Sequence, residues 1–274
     1  MVDWPFPGCH RQGTGPSSSS GDGGVAPVAL PEVDVSLTIP AHNEAENMGR
    51  VLQDVMAVLA EGGRTYEIVL VDDASQDGTV AAARAAMGEC AQNLTVVTHR
   101  QQRGYAITVC DGLRASRGKV LAFMDGDGQF DPHDLSMLLA GLDHADMVAG
   151  IRNRRADPWY RSFVSGVYNR VVRVAFGIRE LDFDCGLKVF TRELWDAVTP
   201  IRARSAVFNP EMFFKAHRLG FRVVQVRVQH LPRLAGRRSG GRLIPVVRAM
   251  RDVIRLRVSL ATNWRPEGAR RERA

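Results

Sequence analysis

The sequence predicts an α/β fold, a mostly parallel sheet with helices on both faces, and three observations carry that expectation. Strand-like and helix-like patterns alternate from Val33 onward. The short strands, IVLV at 68–71 and VLAFM at 120–124, are apolar throughout, which suits strands covered on both sides. Polar and acidic residues collect where three of those strands end.

The elements follow in order. VDVSLTIP (33–40) reads as the first strand. AENMGRVLQDVMAVLA (45–60) reads as a helix, with Met48, Val51, Leu52, Val55, Val58 and Leu59 at helical spacing. YEIVLVDD (66–73) is a second strand, and Asp77 is placed to cap a helix over 79–87. A strand over 93–98 precedes a helix over 106–116 and a fourth strand over 119–124. Pro132 and Asp134 open a helix over 132–142, and ADMVAG (145–150) is a fifth strand.

The 274 residues allow one large domain or two small ones. With 45% hydrophobic and 24% charged residues the composition is that of a soluble globular protein. Net charge is +6, and of 36 cationic residues only Lys119, Lys188 and Lys215 are lysines. Arginine pairs bidentately with phosphate, so either anionic partners or a compositional bias explains the excess. The arginines are spread over many elements without interleaved aromatics, so no nucleic-acid partner is expected. Four cysteines without a CxxC pair argue against a zinc ribbon or a disulfide scaffold and suit a reducing compartment. No apolar run reaches the roughly 18 residues of a spanning helix. The expectation is therefore a cytoplasmic protein. Residues 1–31, rich in Gly, Pro and Ser, read as a disordered leader.

In sheets of this kind ligands bind beyond the carboxyl ends of the strands. There the sequence places Pro40-Ala41-His42-Asn43-Glu44, Asp72-Asp73-Ala74-Ser75 and Asp125-Gly126-Asp127. Two carboxylates at i and i+2, with Gln129 as a neutral oxygen, suit Mg²⁺ or Mn²⁺, while Gly126 and Gly128 let the backbone bend. An Asp-Gly turn is the plain alternative. A calcium loop is excluded, because position twelve counted from Asp125 is Ser136 and not Glu. Asp72 and Asp73, closing a strand, are candidates to accept hydrogen bonds from a base or ribose. No GxGxxG or GxxxxGK[ST] follows a strand, which weighs against dinucleotide oxidoreductases and P-loop enzymes.

Taken in order and spacing, IPAHNEAENM, VDDASQDGT, RGYAITVCDGLRASRG and FMDGDGQFDP resemble the family 2 glycosyltransferases of GT-A fold, a Rossmann-like mostly parallel sheet. The branch most similar is the dolichyl-phosphate mannose synthase type, including bacterial polyprenyl-phosphate sugar synthases. DMVAGIRNRR, ELDFDCGLKVF, PEMFFKAHRLGFRVVQVRVQH and LPRLAGRRSGG extend the likeness to residues 33–242. The resemblance implies a GT-A catalytic domain over 32–241. It implies inverting, metal-dependent transfer of a hexose from a GDP-mannose- or UDP-glucose-type donor to polyprenyl (dolichyl) phosphate, or else to a hydroxyl of a soluble molecule or glycan.

Residue by residue, it implies that Pro40, His42 and Glu44 line the nucleotide pocket with Gly126, and that Asp72 contacts base or ribose. Asp125, Asp127 and Gln129 would hold Mg²⁺ or Mn²⁺ on the diphosphate. Arg152, Arg161 and Ser165 would grip the acceptor phosphate, and Arg233 and Arg237 would close over the donor. Ala106 stands where many relatives carry glycine, and ELDFDCG departs from the mannose synthases. A hydroxyl acceptor would need a carboxylate base, with Asp182, Asp184 and Glu211 as candidates. A phosphate acceptor, with a second pKa of about 6, needs none. Residues 242–274 read as a basic amphipathic helix and tail. Leu243, Val247, Met250 and Ile254 form one stripe, and Arg248, Arg251 and Arg255 lie off it. Such a helix either lies in an anionic membrane interface, putting the protein peripherally at the inner face of the cell membrane, or packs on the domain.

Overall fold

In the computed structural model, residues 32–153, 159–203, 205, 207–233 and 243–264 are described. Seven strands form one sheet: β1 (Val35–Ala41), β2 (Tyr66–Asp72), β3 (Leu94–Thr98), β4 (Val120–Met124), β5 (Met147–Asn153), β6 (Leu187–Thr191) and β7 (Val223–Gln229). Their order is β3-β2-β1-β4-β6-β5-β7. Every neighbouring pair is parallel except those made by β6, which runs against both β4 and β5. The fifth strand therefore does not lie beside the fourth, as simple alternation would have it. An antiparallel strand absent from the sequence reading is inserted between them.

The helices are α1 (Ala45–Glu61), α2 (Thr79–Met87), α3 (Tyr105–Ala115), α4 (Asp134–Gly141), α5 (Trp159–Phe176), α6 (Arg192–Val198), α7 (Phe208–Arg218) and α8 (Leu243–Asn263). Alternate side chains of each strand feed two hydrophobic clusters. On one face Ala122, Met124, Val148 and Val189 meet α1, α2 and α4. On the other, Leu121, Phe123, Ala149 and Phe190 meet α3, α5, α6, α7 and α8. Helices cover both faces, as expected. Gly112 lets α3 lie close on the sheet: a Cβ there would stand 2.3 Å from Thr38 Cγ2.

The last helix corrects one reading. Val253, Leu256 and Leu260 are its buried residues, whereas Ile254 is 64% exposed. Of the expected stripe, Ile254 thus faces solvent, and the described end of α8 packs on the domain through Val253, Leu256 and Leu260. Leu243, Val247, Arg248 and Met250 lie where side chains are not described, and the expected leader over 1–31 lies outside the described residues.

A charged pair is sealed beneath that face. Glu211 accepts from the backbone N–H groups of Arg202 (3.0 Å) and Ala203 (2.7 Å) and pairs with Lys215 at 2.7 Å. Lys215 also donates to the carbonyls of Val198 (3.1 Å) and Pro200 (2.7 Å). Removing one partner strands the other out of water. Glu211→Ala is expected to lower stability by roughly 3–5 kcal/mol in urea denaturation. Replacing both residues by aliphatics should recover much of that loss.

Candidate active site

The carboxyl ends of β1, β2 and β4 face a cavity of about 770 Å³. Pro40, His42, Glu44, Asp73, Asp125, Gly126, Asp127 and Arg233 line it together, from segments spread over nearly two hundred residues. Asp72, Arg152 and Ser165 are not among the lining residues.

The β1 end is shaped by Asn43, held at φ 56°. Its backbone N–H donates to Ser75 Oγ (2.9 Å), and its Oδ1 accepts from Gln76 N–H (2.7 Å). His42 donates through Nδ1 to the Asp73 carbonyl (2.7 Å), which leaves Nε2 to accept from Asn43 Nδ2 (3.2 Å). Glu44 enters α1 with Oε2 accepting from Asn47 (2.7 Å) and Oε1 paired with Arg233. Burial raises the Glu44 carboxyl above its usual range, against the opposing pull of Asn47 and Arg233.

At the β2 end the two aspartates part company. Asp72 turns back to Ser75 N–H (3.1 Å). Asp73 pins the loop that leads into α3: Oδ1 accepts from His99 Nδ1 (2.7 Å) and Arg103 N–H (2.7 Å), and Oδ2 accepts from Gly104 N–H (2.9 Å). Burial opposes its ionisation, but His99 and the two N–H groups prevail, and its carboxyl lies below the usual value. The N-cap of α2 is Gly78 rather than Asp77; Asp77, one residue earlier, accepts from Thr79 N–H (3.0 Å) and also takes Ala45 N–H at the start of α1 (3.1 Å).

The β4 end holds a buried carboxylate. Asp125 N–H donates to Gly186 O (3.1 Å), carrying the β4–β6 pairing one residue further. The Gly186 Cα lies flat on the carboxylate, since a Cβ there would stand 2.0 Å from Asp125 Oδ2. Asp125 Oδ1 is buried without a hydrogen-bond partner. Burial, with Asp127 second, pushes the Asp125 carboxyl up to about 6, although Tyr105, Lys188 and Arg152 oppose the shift. Tyr105 is 40% exposed, but its phenol oxygen faces Asp125, and loss of hydration there together with that carboxylate holds it well above its usual range.

Beside this group, Asp127 Oδ1 accepts from Gln129 N–H (3.1 Å) and Oδ2 stands 3.5 Å from Arg233. Gln129 spends its amide N–H on Leu231 O (3.1 Å), while Leu231 N–H returns to Gln129 O (2.8 Å). These two bonds bring Arg233 over the cavity.

Across β6, Arg152 forms a bidentate pair with Asp182, with Nε to Oδ2 and Nη2 to Oδ1 both 2.8 Å. Burial works against this guanidinium's charge, and Asp182 more than restores it. Ser165 Oγ on α5 is buried and unpartnered. Asp184 is half-buried and near enough to influence Tyr105, Arg152, Tyr168 and Lys188. Arg161 belongs to α5, but its side chain is not described, and Arg237 lies outside the described residues.

Three contributors escaped the sequence reading: Tyr105, Gly186 and Lys188. Lys188 is fully buried, donates to the carbonyls of Phe183 (3.2 Å) and Cys185, and lies 5.1 Å from the Phe123 ring centroid. A lone lysine inside the apolar run LKVF was the available signal. No group of three or more His, Cys, Asp or Glu converges on a metal position among the described residues.

Sheet order and site geometry define a class that comparison with solved structures also reaches, the GT-A fold. A glucosyl-3-phosphoglycerate synthase from Mycobacterium tuberculosis, solved with Mn²⁺, uridine diphosphate and phosphoglyceric acid, superposes with a TM-score of 0.64 at 20% identity, covering 83% of this chain and 78% of that one. The chain belongs to glycosyl transferase family 2, whose family profile matches residues 36–196. Similar proteins include an undecaprenyl-phosphate 4-deoxy-4-formamido-L-arabinose transferase of Aeromonas hydrophila, 28% identical over 221 residues, 80% of this chain and 66% of the relative. A dodecaprenyl-phosphate galacturonate synthase of Rhizobium johnstonii is 30% identical over 161 residues, 58% of this chain and 48% of the relative. The chain thus spans about half to two thirds of the length of these relatives.

Two outcomes follow from the Asp125 environment. A folded-state pKa of about 6 against the ordinary 3.8 of an aspartate means that the unfolded chain gives up this proton first, so stability falls as pH rises from about 4 through 6 and stays lower above. In metal-free buffer Asp125→Asn is expected to melt higher than the parent at pH 8, by roughly 2–3 kcal/mol in stability, with the difference shrinking through pH 6 and vanishing near pH 4. Gly186→Ala should displace the carboxylate, and a crystal structure of that variant with Asp125 unmoved would refute the contact.

Proposed function

We propose that the chain is an inverting glycosyltransferase that moves a hexose from a GDP-mannose- or UDP-glucose-type donor to polyprenyl phosphate with Mg²⁺ or Mn²⁺. The observation that carries this reading is the pair Asp125 and Asp127 on the cavity floor, one of them with a buried oxygen lacking any hydrogen-bond partner. An oxygen-only donor set with excess negative charge fits a hard divalent cation. Asp125 and Asp127, with Gln129 as a neutral oxygen, would hold it, and when bound it would offset the charge that gathers on the departing diphosphate.

The chain's own groups account for the rest. His42, Glu44, Asp73, Pro40 and Gly126 form the walls for the nucleotide, with Asp72 behind them. Arg233, fixed between Glu44 and Asp127, adds positive charge at the mouth, where Arg237 would join it. Arg152, Arg161 and Ser165 would position the acceptor phosphate by charge-assisted hydrogen bonds. A phosphate oxygen bonds to the anomeric carbon on the face opposite the leaving group. The old C–O bond breaks with its electron pair going to the diphosphate, and no proton moves. A hydroxyl acceptor would instead need a base. Asp182 is held by Arg152, and Glu211 by Lys215 and two backbone N–H groups, which takes two of the three candidate bases out of use. That favours the phosphate. The similar proteins are an undecaprenyl-phosphate transferase and a dodecaprenyl-phosphate synthase by name, which supports the same acceptor class. A peripheral site of action at the inner membrane face accords with this acceptor, and no described helix is long and apolar enough to cross a bilayer.

The test is transfer from a panel of sugar nucleotides, with Mn²⁺ or EDTA, in the presence or absence of a short polyprenyl phosphate. Labelled sugar should enter the lipid phase only with polyprenyl phosphate and the ion. Asp127→Asn should lower turnover by about 10²-fold or more. Undiminished turnover in EDTA would sink the metal role, and equal transfer to simple alcohols would sink the acceptor assignment.

A further inference from the structure

We propose that His99 is a positioning residue of the donor pocket, holding Asp73 so that two walls of the cavity keep their places. The inference rests on the reading of that cavity as the nucleotide-sugar site. His99 is not among the residues that line it. It follows the last residue of β3, and its N–H donates to Asp72 O at 2.9 Å, which extends the β2–β3 pairing by one step. That backbone bond delivers the imidazole, buried, beside Asp73.

Asp73 is the junction of the two walls. Its carbonyl accepts from His42 Nδ1 at 2.7 Å. Its carboxylate accepts from the N–H groups of Arg103 (2.7 Å) and Gly104 (2.9 Å), where the chain enters α3 and brings Tyr105 and Thr108 into the cavity. Those two N–H groups are neighbours in one loop. His99 Nδ1, at 2.7 Å, ties the same carboxylate to the end of the sheet instead. The other side of the ring is anchored as well, with Nε2 3.2 Å from Asp111 Oδ2 on α3. Asp111 is itself paired with Arg103 and Arg114, both at 2.7 Å. Carboxylates only accept, so the ring bonds to both when each of its nitrogens carries a hydrogen. His99 thus spans from the end of β2 to the body of α3 and fixes how the start of that helix meets the cavity. Side chains that touch a ligand depend on such support, since a displacement of about 1 Å at a site costs up to about 10²-fold in rate.

The experiment compares three variants of the full chain. In His99→Asn the amide nitrogen takes the place of Nδ1 and keeps the bond to Asp73. In His99→Gln the longer arm reaches toward Asp111 and gives up Asp73, and His99→Leu gives up both. Each is titrated calorimetrically with UDP and with GDP in the presence of Mn²⁺. The Gln and Leu variants are expected to bind the parent's nucleotide about tenfold or more weakly, and the Asn variant within about threefold of the parent. Hydrogen exchange at the Arg103 and Gly104 amides should quicken in the Gln and Leu variants and stay near the parent's rate in the Asn variant. All three lose a buried hydrogen bond and should melt below the parent, so melting does not separate them, whereas affinity does. If the Leu variant fails to fold, the Asn and Gln pair carries the comparison. The proposal is overturned if the Asn and Gln variants bind nucleotide equally, or if affinity simply follows melting temperature across the set. A parent that binds neither UDP nor GDP removes the donor site and this role with it. A parent that binds one of them, with every variant matching it, removes the role of His99 alone.

Discussion

A carboxylate taken out of water next to a second carboxylate is an electrostatic liability, and the surroundings of Asp125 are organised around keeping one there. Its backbone is locked by the pairing of β4 with β6, and its side chain is wedged by the Gly186 Cα. Lys188 and Arg152 stand near enough to temper its charge without closing on Oδ1. Buried charges are ordinarily paired or neutralised. Here the imbalance persists above about pH 6, a demand that the cation of the proposed function would meet.

Holding the demand in place requires that the walls not collapse onto it. Asp73 does this for one wall by stapling Arg103 and Gly104, so that Tyr105 starts α3 facing the carboxylate. Asp77 does it for another by tying the first turns of α1 and α2 together. Hydrogen bonds to charged groups contribute about 1.5–3 kcal/mol each, so these staples are substantial beside the stability of a typical domain. The wall formed by residues 231–233 rests on two bonds between Gln129 and Leu231 and on the ion pair of Arg233 with Glu44, which leaves it the most readily displaced.

Local pattern was sufficient for the first half of the chain. The helix over 79–87 coincides with α2, and the first five strands fall within about three residues of their observed ends, because apolar runs bounded by polar turns carry their own signal. The three polar clusters were legible for the same reason: they terminate strands. What local pattern does not encode is partnership. That β6 inserts antiparallel between β4 and β5, that Asp182 belongs to Arg152, and that Gly186 touches Asp125 are all consequences of sheet order. The α8 stripe was misplaced because several apolar lines run along that sequence, and only packing against α5 selects the buried one.

The reversed direction of β6 has a consequence for the opposite rim of the sheet. Because its first residues arrive where β4 ends, the segment that leads into it places Gly186 against Asp125, and the strand then leaves through Thr191 to the other rim. That rim also holds the solvent-exposed stretch Glu61–Thr65 between α1 and β2, which contributes nothing to the cavity. A fluorescent reporter or affinity handle spliced there would sit a full strand length from the chemistry, so the molecule offers a place to be tagged, tethered or visualised while its working surface stays untouched.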